Sequence, residues 1–513
     1  MTVYPPRFAA PEYLKNARTS RDASDLKFAV ALPVLMAFLL GIVPFLGTSA
    51  KIPFLITLVP LILWSAFYST ERALYVYIAY VWMDGIIRGV FDLNPVATLA
   101  RDIIMGVIVL GWGVRRLQSR SEDPLRYPPG TLLIVLFVID CLLQVFNPYS
   151  LGLLSSLAGL KLHLLTIPLL FMGYDVIRRR EQVQTLFVFL TLATLVVGLL
   201  SLVQYVEGRD WTWAHYPGTK AVISQVVHAT QAGNIISANA SYKPPGATGF
   251  GGNTGTFIGI VFPLTFVLPL LSRKNGYAPP LKAALFTLLG FFVILIFVNG
   301  VRSAFVSAFV SIIISGILIG GKLRLRLLLA VFACIILGLI AFTISINLSQ
   351  GGVVDRFSST FADPIGTMHK DRHTFFEDAV DIVTRSPLGV GLGRVGPAAG
   401  RFGDKGNDLG FTVFSEAYLG QMMFETGVIG GLLISGFALS LALRGYFEMT
   451  KLRDPDDKLL ATAMVALLVV VFINFFLTPV LIAPPGSVLF WLVGGALTRF
   501  LSGSSKQPGG TNS

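Results

Sequence analysis

Charge is what this sequence has least of. Lys and Arg number 40 and Asp and Glu 28, together 13% of 513 residues, where a soluble domain carries roughly 25%. Cysteine is nearly absent as well. Cys141 and Cys334 both fall within apolar stretches, which excludes a disulfide framework or a zinc cluster and leaves the redox compartment unspecified. What is present is apolar: 54% hydrophobic residues and a mean hydropathy of +0.72. Such a chain is an integral membrane protein. Its net charge of +12 would suggest nucleic acid in a soluble protein, but in a polytopic one it is first the signature of basic cytoplasmic loops. A nucleic-acid partner is therefore set aside.

The expected fold is all-α, with about 12 to 14 transmembrane helices. A bilayer core of roughly 30 Å needs about 20 apolar residues in a helix, and fourteen candidate spans begin near Phe28, Ile52, Ala73, Val96, Thr131, Leu151, Val183, Phe257, Ala283, Ala304, Leu327, Ala417, Leu459 and Val488. Residues 1–27 form a polar tail with Arg7, Lys15, Arg18, Arg21 and Lys27, and no small-residue cleavage site follows. This reads as an anchor preceded by a cytoplasmic N-terminus. From that start the inside segments hold 25 of the 40 basic residues, as the positive-inside rule requires.

The same count divides the chain into membrane blocks 28–206, 256–346 and 414–502, a cytoplasmic tail 503–513, and two extracytoplasmic segments, 207–255 and 347–413. Loops longer than ~15 residues are usually functional or disordered. These two contain Trp211, Trp213 and many Gly and Pro rather than a low-complexity bias, so the chemistry is expected there.

Several local signals carry less. Gly391-Leu392-Gly393-Arg394-Val395-Gly396 matches the dinucleotide fingerprint in letters only, because no strand precedes it. His369 and His373 have metal-pair spacing, but Lys370 stands where a zinc protease has its Glu and no third ligand is near. Charged residues inside spans mean more, since each costs ~2.5 to 3.5 kcal/mol at a helix centre. Asp84 and Arg88 face Arg101 and Asp102 across a short turn at similar depth, as a structural ion pair or as groups for catalysis or ion coupling. Asp140, Lys161 and His163 form a second such group, which would suit a proton relay in a transporter. Residues 372–385 place Phe376, Ala379, Val380 and Val383 on one helical face, giving an amphipathic helix on the outer membrane surface or packed on the bundle.

Taken in order, four motifs point to a family. Lys243-Pro244-Pro245-Gly246-Ala247-Thr248-Gly249-Phe250-Gly251-Gly252-Asn253 precedes a span, and Asn299-Gly300-Val301-Arg302-Ser303-Ala304 opens another. Asp371-Arg372 comes before the amphipathic helix and Ser386-Pro387-Leu388-Gly389-Val390-Gly391-Leu392-Gly393, and Ser415-Glu416-Ala417-Tyr418-Leu419 leads to Glu425-Thr426-Gly427-Val428-Ile429-Gly430. Over residues 243–430 the chain resembles the O-antigen ligase and polymerase superfamily of bacterial envelope glycosyltransferases.

The resemblance implies a donor glycan on polyprenyl pyrophosphate, transfer on the outer face of the bacterial cytoplasmic membrane, no cofactor and no metal. Arg302 and Arg372 would stabilise the pyrophosphate leaving group, for which the guanidinium fork is suited. Glu416 stands where the family commonly has a His and would be the general base. Lys243, Asn253, Arg394 and Tyr418 would bind substrate, Lys243 replacing an arginine usual in the glycine and asparagine motif. These departures favour a polymerase of exopolysaccharide, capsule or O-antigen units over a ligase acting on a lipid or protein acceptor. Besides the bilayer, other polysaccharide assembly and export proteins are the implied partners. A transporter is the alternative from another class.

Overall fold

A computed structural model describes residues 12–92, 94–118, 127–216, 218–220, 243–249, 251–271, 278–318, 336, 340, 343, 381–396, 398–399, 417–482 and 484–504. Among these the chain is all-helical. The helices are α1 (Glu12–Leu46), α2 (Lys51–Tyr68), α3 (Thr70–Val90), α4 (Pro95–Gln118), α5 (Thr131–Gln144), α6 (Leu153–Leu164), α7 (Pro168–Val176), α8 (Arg180–His215), α9 (Gly251–Val267), α10 (Pro279–Asn299), α11 (Arg302–Leu318), α12 (Tyr418–Thr450), α13 (Pro455–Asn474) and α14 (Gly486–Ser504). Nine helical stretches among the described residues are long and apolar enough to cross a membrane, one being Leu153–Val176, where α6 and α7 run on from each other. Helices α5 and α11 are shorter apolar helices. The span expected near Leu327, residues 1–11 and 505–513 of the expected tails and most of 347–413 lie outside the described residues, whereas 12–27 of the expected polar tail form the first part of α1.

Local sequence explains where helices start and stop. Helix α13 has Pro455 in its first turn, and Asp454 caps it by accepting from the Asp456 and Asp457 amides at 2.8 and 3.4 Å, which satisfies two otherwise orphaned donors. Helix α10 begins on Pro279 and ends at Gly300, whose φ of 60° closes the helix in the left-handed region. Helix α8 runs beyond Glu207, the expected start of an outer loop, and breaks at Gly208 before continuing to His215.

Helices α3 and α9 are the innermost. Helix α3 touches α1, α2, α4 and α8, while α9 packs against α8, α10, α11 and α13. Helices α7 and α14 also cross closely at Gly173 and Gly495, where a Cβ would run into the partner's backbone. Small residues let helices approach where lipid supplies no hydrophobic drive.

Contacts sort the helix ends into two sets. At one end Arg72 pairs with Asp25 at 2.8 Å, Arg178 with Asp175 at 2.6 Å, and Arg180 with Asp454 and Asp457 at 2.8 and 2.6 Å. Arg115 reaches Thr70 there as well. At the other end lie the starts of α9, α11 and α12 and the turns around Gly218 and Gly246. These are called the arginine end and the glycine end below.

Candidate functional site

The glycine end gathers the motif-bearing segments. In the first motif Gly246–Thr248 forms a short 3-10 turn pressed onto α3, with Thr248 directly over Gly85. The Gly246 amide donates to Gln204 Oε1 at 2.8 Å, and the Thr254 hydroxyl donates to the Pro245 carbonyl at 2.7 Å. Asn253 follows in the first turn of α9. In the second motif Asn299 is fully buried, accepting from the Ser201 hydroxyl at 3.1 Å and donating to Leu295 O at 2.9 Å. Its amide ties α10 to α8, Gly300 reverses the chain, and Arg302 is thereby presented at the start of α11, half-buried.

The two motifs meet. Gly255 lies against Val301 and Asn299, and the Thr256 and Ser303 hydroxyls are 3.1 Å apart. Asn253, Thr256 and Phe257 line one wall of a shallow, narrow cleft, and Thr478, Pro479 and Pro485 line the other. The Thr478 carbonyl accepts from the Tyr418 amide at 3.1 Å, and Phe475 O from the Leu419 amide at 2.9 Å, so the start of α12 is fixed to the same turn.

The third and fourth motifs also meet, at a break in α12. Gly427 has φ 72° and ψ −174°, a conformation that divides the helix into two pieces and that only glycine adopts without strain. The loop after Pro387 fills the break. The Val390 and Gly391 amides donate to Phe424 O and Glu425 O at 3.0 and 3.1 Å, and the Val428 amide donates to Pro387 O at 3.0 Å. A Cβ on Gly389 would lie 2.6 Å from Gly427 N, so glycine is required on both sides. Broken helices are tolerated at membrane depth where neighbouring protein re-satisfies the freed backbone groups.

The far side of this loop is held equally. Gln144 donates to Leu388 O at 2.6 Å, Asn147 to Gly389 O at 3.2 Å and the Ser155 hydroxyl to Gly393 O at 2.5 Å, while Gly159 of α6 leaves room for Gly393. Glu425 Oε1 accepts from the Val395 amide at 3.0 Å, and its Oε2 lies 2.9 Å from His163 Nε2. Both side chains of that pair have no solvent exposure. Arg394 donates to the Tyr149 carbonyl. The letters of a dinucleotide fingerprint thus form a backbone plug between α6 and α12.

Between α3, α4 and α6 runs a network of charges. Asp84 Oδ2 is 3.1 Å from Arg88 Nε and 3.6 Å from Arg101, Arg101 Nε is 3.5 Å from Asp102 Oδ1, and Asp102 Oδ2 is 2.6 Å from Lys161 Nζ. The Asp84–Arg101 pairing agrees with the depths counted from the sequence. The Asp140, Lys161 and His163 grouping does not hold: Lys161 joins the network, His163 bonds Glu425, and Asp140 lies beside Gly430.

The expected site residues therefore separate. Asn253 lines the cleft, Arg302 stands at the start of α11 next to the Thr256–Ser303 contact, and Lys243 is half-buried at the head of the Gly246–Thr248 turn. Arg394 stands on the plug. Tyr418 is 1% exposed, its ring packed edge-on against Phe475 at 5.1 Å, which leaves no ring face for a substrate. Glu416 and Arg372 lie outside the described residues, as do His369 and His373. Of the expected amphipathic helix, 381–385 is described, and there Ile382 is buried against Val390 and Phe424 while Val383 is exposed. No family model matches the chain, and no curated protein matches it.

Sequence reasoning missed the His163–Glu425 pair and the anchoring amides of Gln144 and Asn147. The only signal for them was glycine density on both sides of the contact, Gly389 to Gly396 and Gly427 to Gly431.

Proposed function

We propose that this protein is a membrane glycosyltransferase that joins polyprenyl-pyrophosphate-linked oligosaccharide units, as a polymerase of exopolysaccharide, capsule or O-antigen. The observation that carries it is the convergence of the described parts of four motifs, spread over residues 243–430, on one end of the bundle, with Asn253 lining a cleft, Arg302 at the neighbouring start of α11 and Arg394 on a plug. A glycosyl transfer of this kind needs fixed cations and little else from the protein. The acceptor hydroxyl oxygen attacks the anomeric carbon, the bond from that carbon to the pyrophosphate oxygen breaks, and the hydroxyl proton passes to a base. Arg302 offers a bidentate fork to the departing pyrophosphate, joined by Arg372, and Glu416 takes the proton. Lys243, Asn253 and Arg394 hold the donor glycan and its phosphates.

The arginine end faces the cytoplasm in this scheme, as its paired and unpaired basic residues require, and the glycine end faces outward in the bacterial cytoplasmic membrane. Purified protein in proteoliposomes, given one lipid-linked repeat unit, should yield a ladder of longer lipid-linked glycans. A single transfer to another lipid or to protein would make it a ligase, and no new glycosidic bond in any product would end the proposal.

Transport is the second function that an observation favours. The break in α12 and the network of charges between α3, α4 and α6 resemble what ion-coupled carriers use. In the same proteoliposomes a carrier would move the lipid-linked unit between leaflets without changing its length.

A further inference from the structure

The His163–Glu425 pair is the most deeply buried titratable contact at the glycine end, and no step of the glycosyl transfer uses it. From the geometry we infer that it positions the plug: Glu425 and His163 are positioning residues that seat residues 389–396 against the break in α12 and so fix Arg394. The role of Arg394 rests on the proposed glycosyl transfer, whereas the seating of the plug does not.

Three observations carry the inference. Glu425 is bonded on three sides at once, with Oε1 accepting from the Val395 amide at 3.0 Å, Oε2 meeting His163 Nε2 at 2.9 Å, and its own carbonyl accepting from the Gly391 amide at 3.1 Å. Its bonds therefore reach the plug at both Gly391 and Val395. His163 stands on α6, the helix whose Gly159 also receives the plug, so the side-chain contact closes a ring from α12 through the plug to α6. Third, both side chains are fully buried. A buried carboxylate keeps its place only with its hydrogen-bonding capacity filled, and here the filling comes from the plug amide and the α6 imidazole. Without the carboxylate, Val395 N–H loses its acceptor, while the plug keeps the backbone bonds at Val390, Gly391 and Val428, the Gln421 amide on the Val395 carbonyl, the Arg394 bond to Tyr149 and its contacts to Gln144, Asn147 and Ser155.

Thiol protection tests this in the full-length protein. Val390 is 1% exposed within the plug and Ala463 is fully buried in α13. Val390→Cys should resist a maleimide in the otherwise native chain and become reactive at least ~10-fold faster when combined with Glu425→Ala or His163→Ala, because local opening exposes it. Ala463→Cys reports global unfolding and should stay protected in the same backgrounds. Glu425→Gln keeps an acceptor oxygen for the Val395 amide and an amide that faces His163, so it should restore protection to within about 3-fold of native. Unchanged Val390→Cys reactivity in Glu425→Ala, or simultaneous exposure of Ala463→Cys with no rescue by Gln, overturns the inference. Should protection be lost while glycan transfer continues at the native rate, the plug is seated as inferred, but Arg394 has no part in the proposed reaction.

Discussion

Helices α2 and α3 are neighbours of similar length, 18 and 21 residues, and they are built in opposite ways. Helix α2 is the more apolar and lies mostly on the outside, with 28% of its span buried; α3 carries Glu71, Arg72, Asp84 and Arg88 yet is 94% buried. In a soluble protein the more polar helix would be the outer one. Here lipid is the solvent, so charge goes inward to find partners and the uniform helix faces out. The same contrast separates the two ends of the molecule. At the arginine end Arg178–Asp175 and Arg180–Asp454 reach solvent while Arg72–Asp25 is buried, whereas the glycine end combines buried charge with backbone-to-backbone packing. A polar group retained inside a membrane needs a reason, and at the glycine end those groups adjoin the motif segments.

The contrast breaks first at Arg101. Removing one partner of a buried ion pair leaves the other charge uncompensated, at a cost of about 3–5 kcal/mol. Arg101→Ala should lower the thermal midpoint in detergent strongly, and adding Asp84→Ala should recover part of the loss. An unchanged midpoint in the single variant would mean that Arg88, 3.1 Å from Asp84, satisfies the carboxylate without Arg101.

Gly427→Ala comes next. Its φ of 72° disfavours any side chain, by about 1–2 kcal/mol, and the added Cβ would meet the plug at Leu388, 2.6 Å from its carbonyl carbon. Reduced stability and increased protease sensitivity near Pro387 are expected. Wild-type behaviour would show that the break in α12 is not obligatory.

The helices themselves were legible in the sequence because apolar runs of membrane length have few alternatives, and the Asp84–Arg101 pair was legible because both residues sit within a few positions of one short turn. Partners on helices far apart in sequence were not. Lys161 was grouped with Asp140 but pairs with Asp102, since which way a helix faces is set by packing rather than by its own letters. The break at Gly427 was hidden by apolar residues continuing on both sides, and His163 and Glu425 are separated by 262 positions. The motif order located the glycine end, but it assigned Tyr418 to substrate when burial makes it a packing residue.

The outer face of α2 sharpens the comparison from the other side. Ile56 and Phe67 are 69% and 71% exposed, and Ile56→Leu or Phe67→Leu should change stability by less than about 0.5 kcal/mol in lipid nanodiscs. A large effect would reveal a protein partner where lipid is expected.

The smallest effect belongs to the arginine end. Burial pushes the Asp454 carboxyl up, but the Arg180 guanidinium and the Asp456 and Asp457 amides outweigh it and hold the group below the usual carboxylate value. A depressed pKa contributes stability that is fully present above the unfolded value near ~3.9 and is lost as pH falls through the lower folded value. Asp454→Asn should therefore reduce stability slightly at neutral pH and flatten its decline below about pH 4. An equal decline in both proteins would remove Asp454 from the acid response.

The most direct measurement compares the two ends in one assay. Initial rates of glycan transfer are measured in proteoliposomes for Arg302→Lys at the glycine end and for Asp454→Asn at the arginine end, each at matched insertion. Lysine keeps the charge of Arg302 but loses the fork, so turnover should fall by about 100-fold, the scale of losing one preorganised donor, while Asp454→Asn stays near the native rate. Native turnover in both Arg302→Lys and Arg302→Ala would contradict the account, because the cation at the start of α11 would then have no part in the reaction.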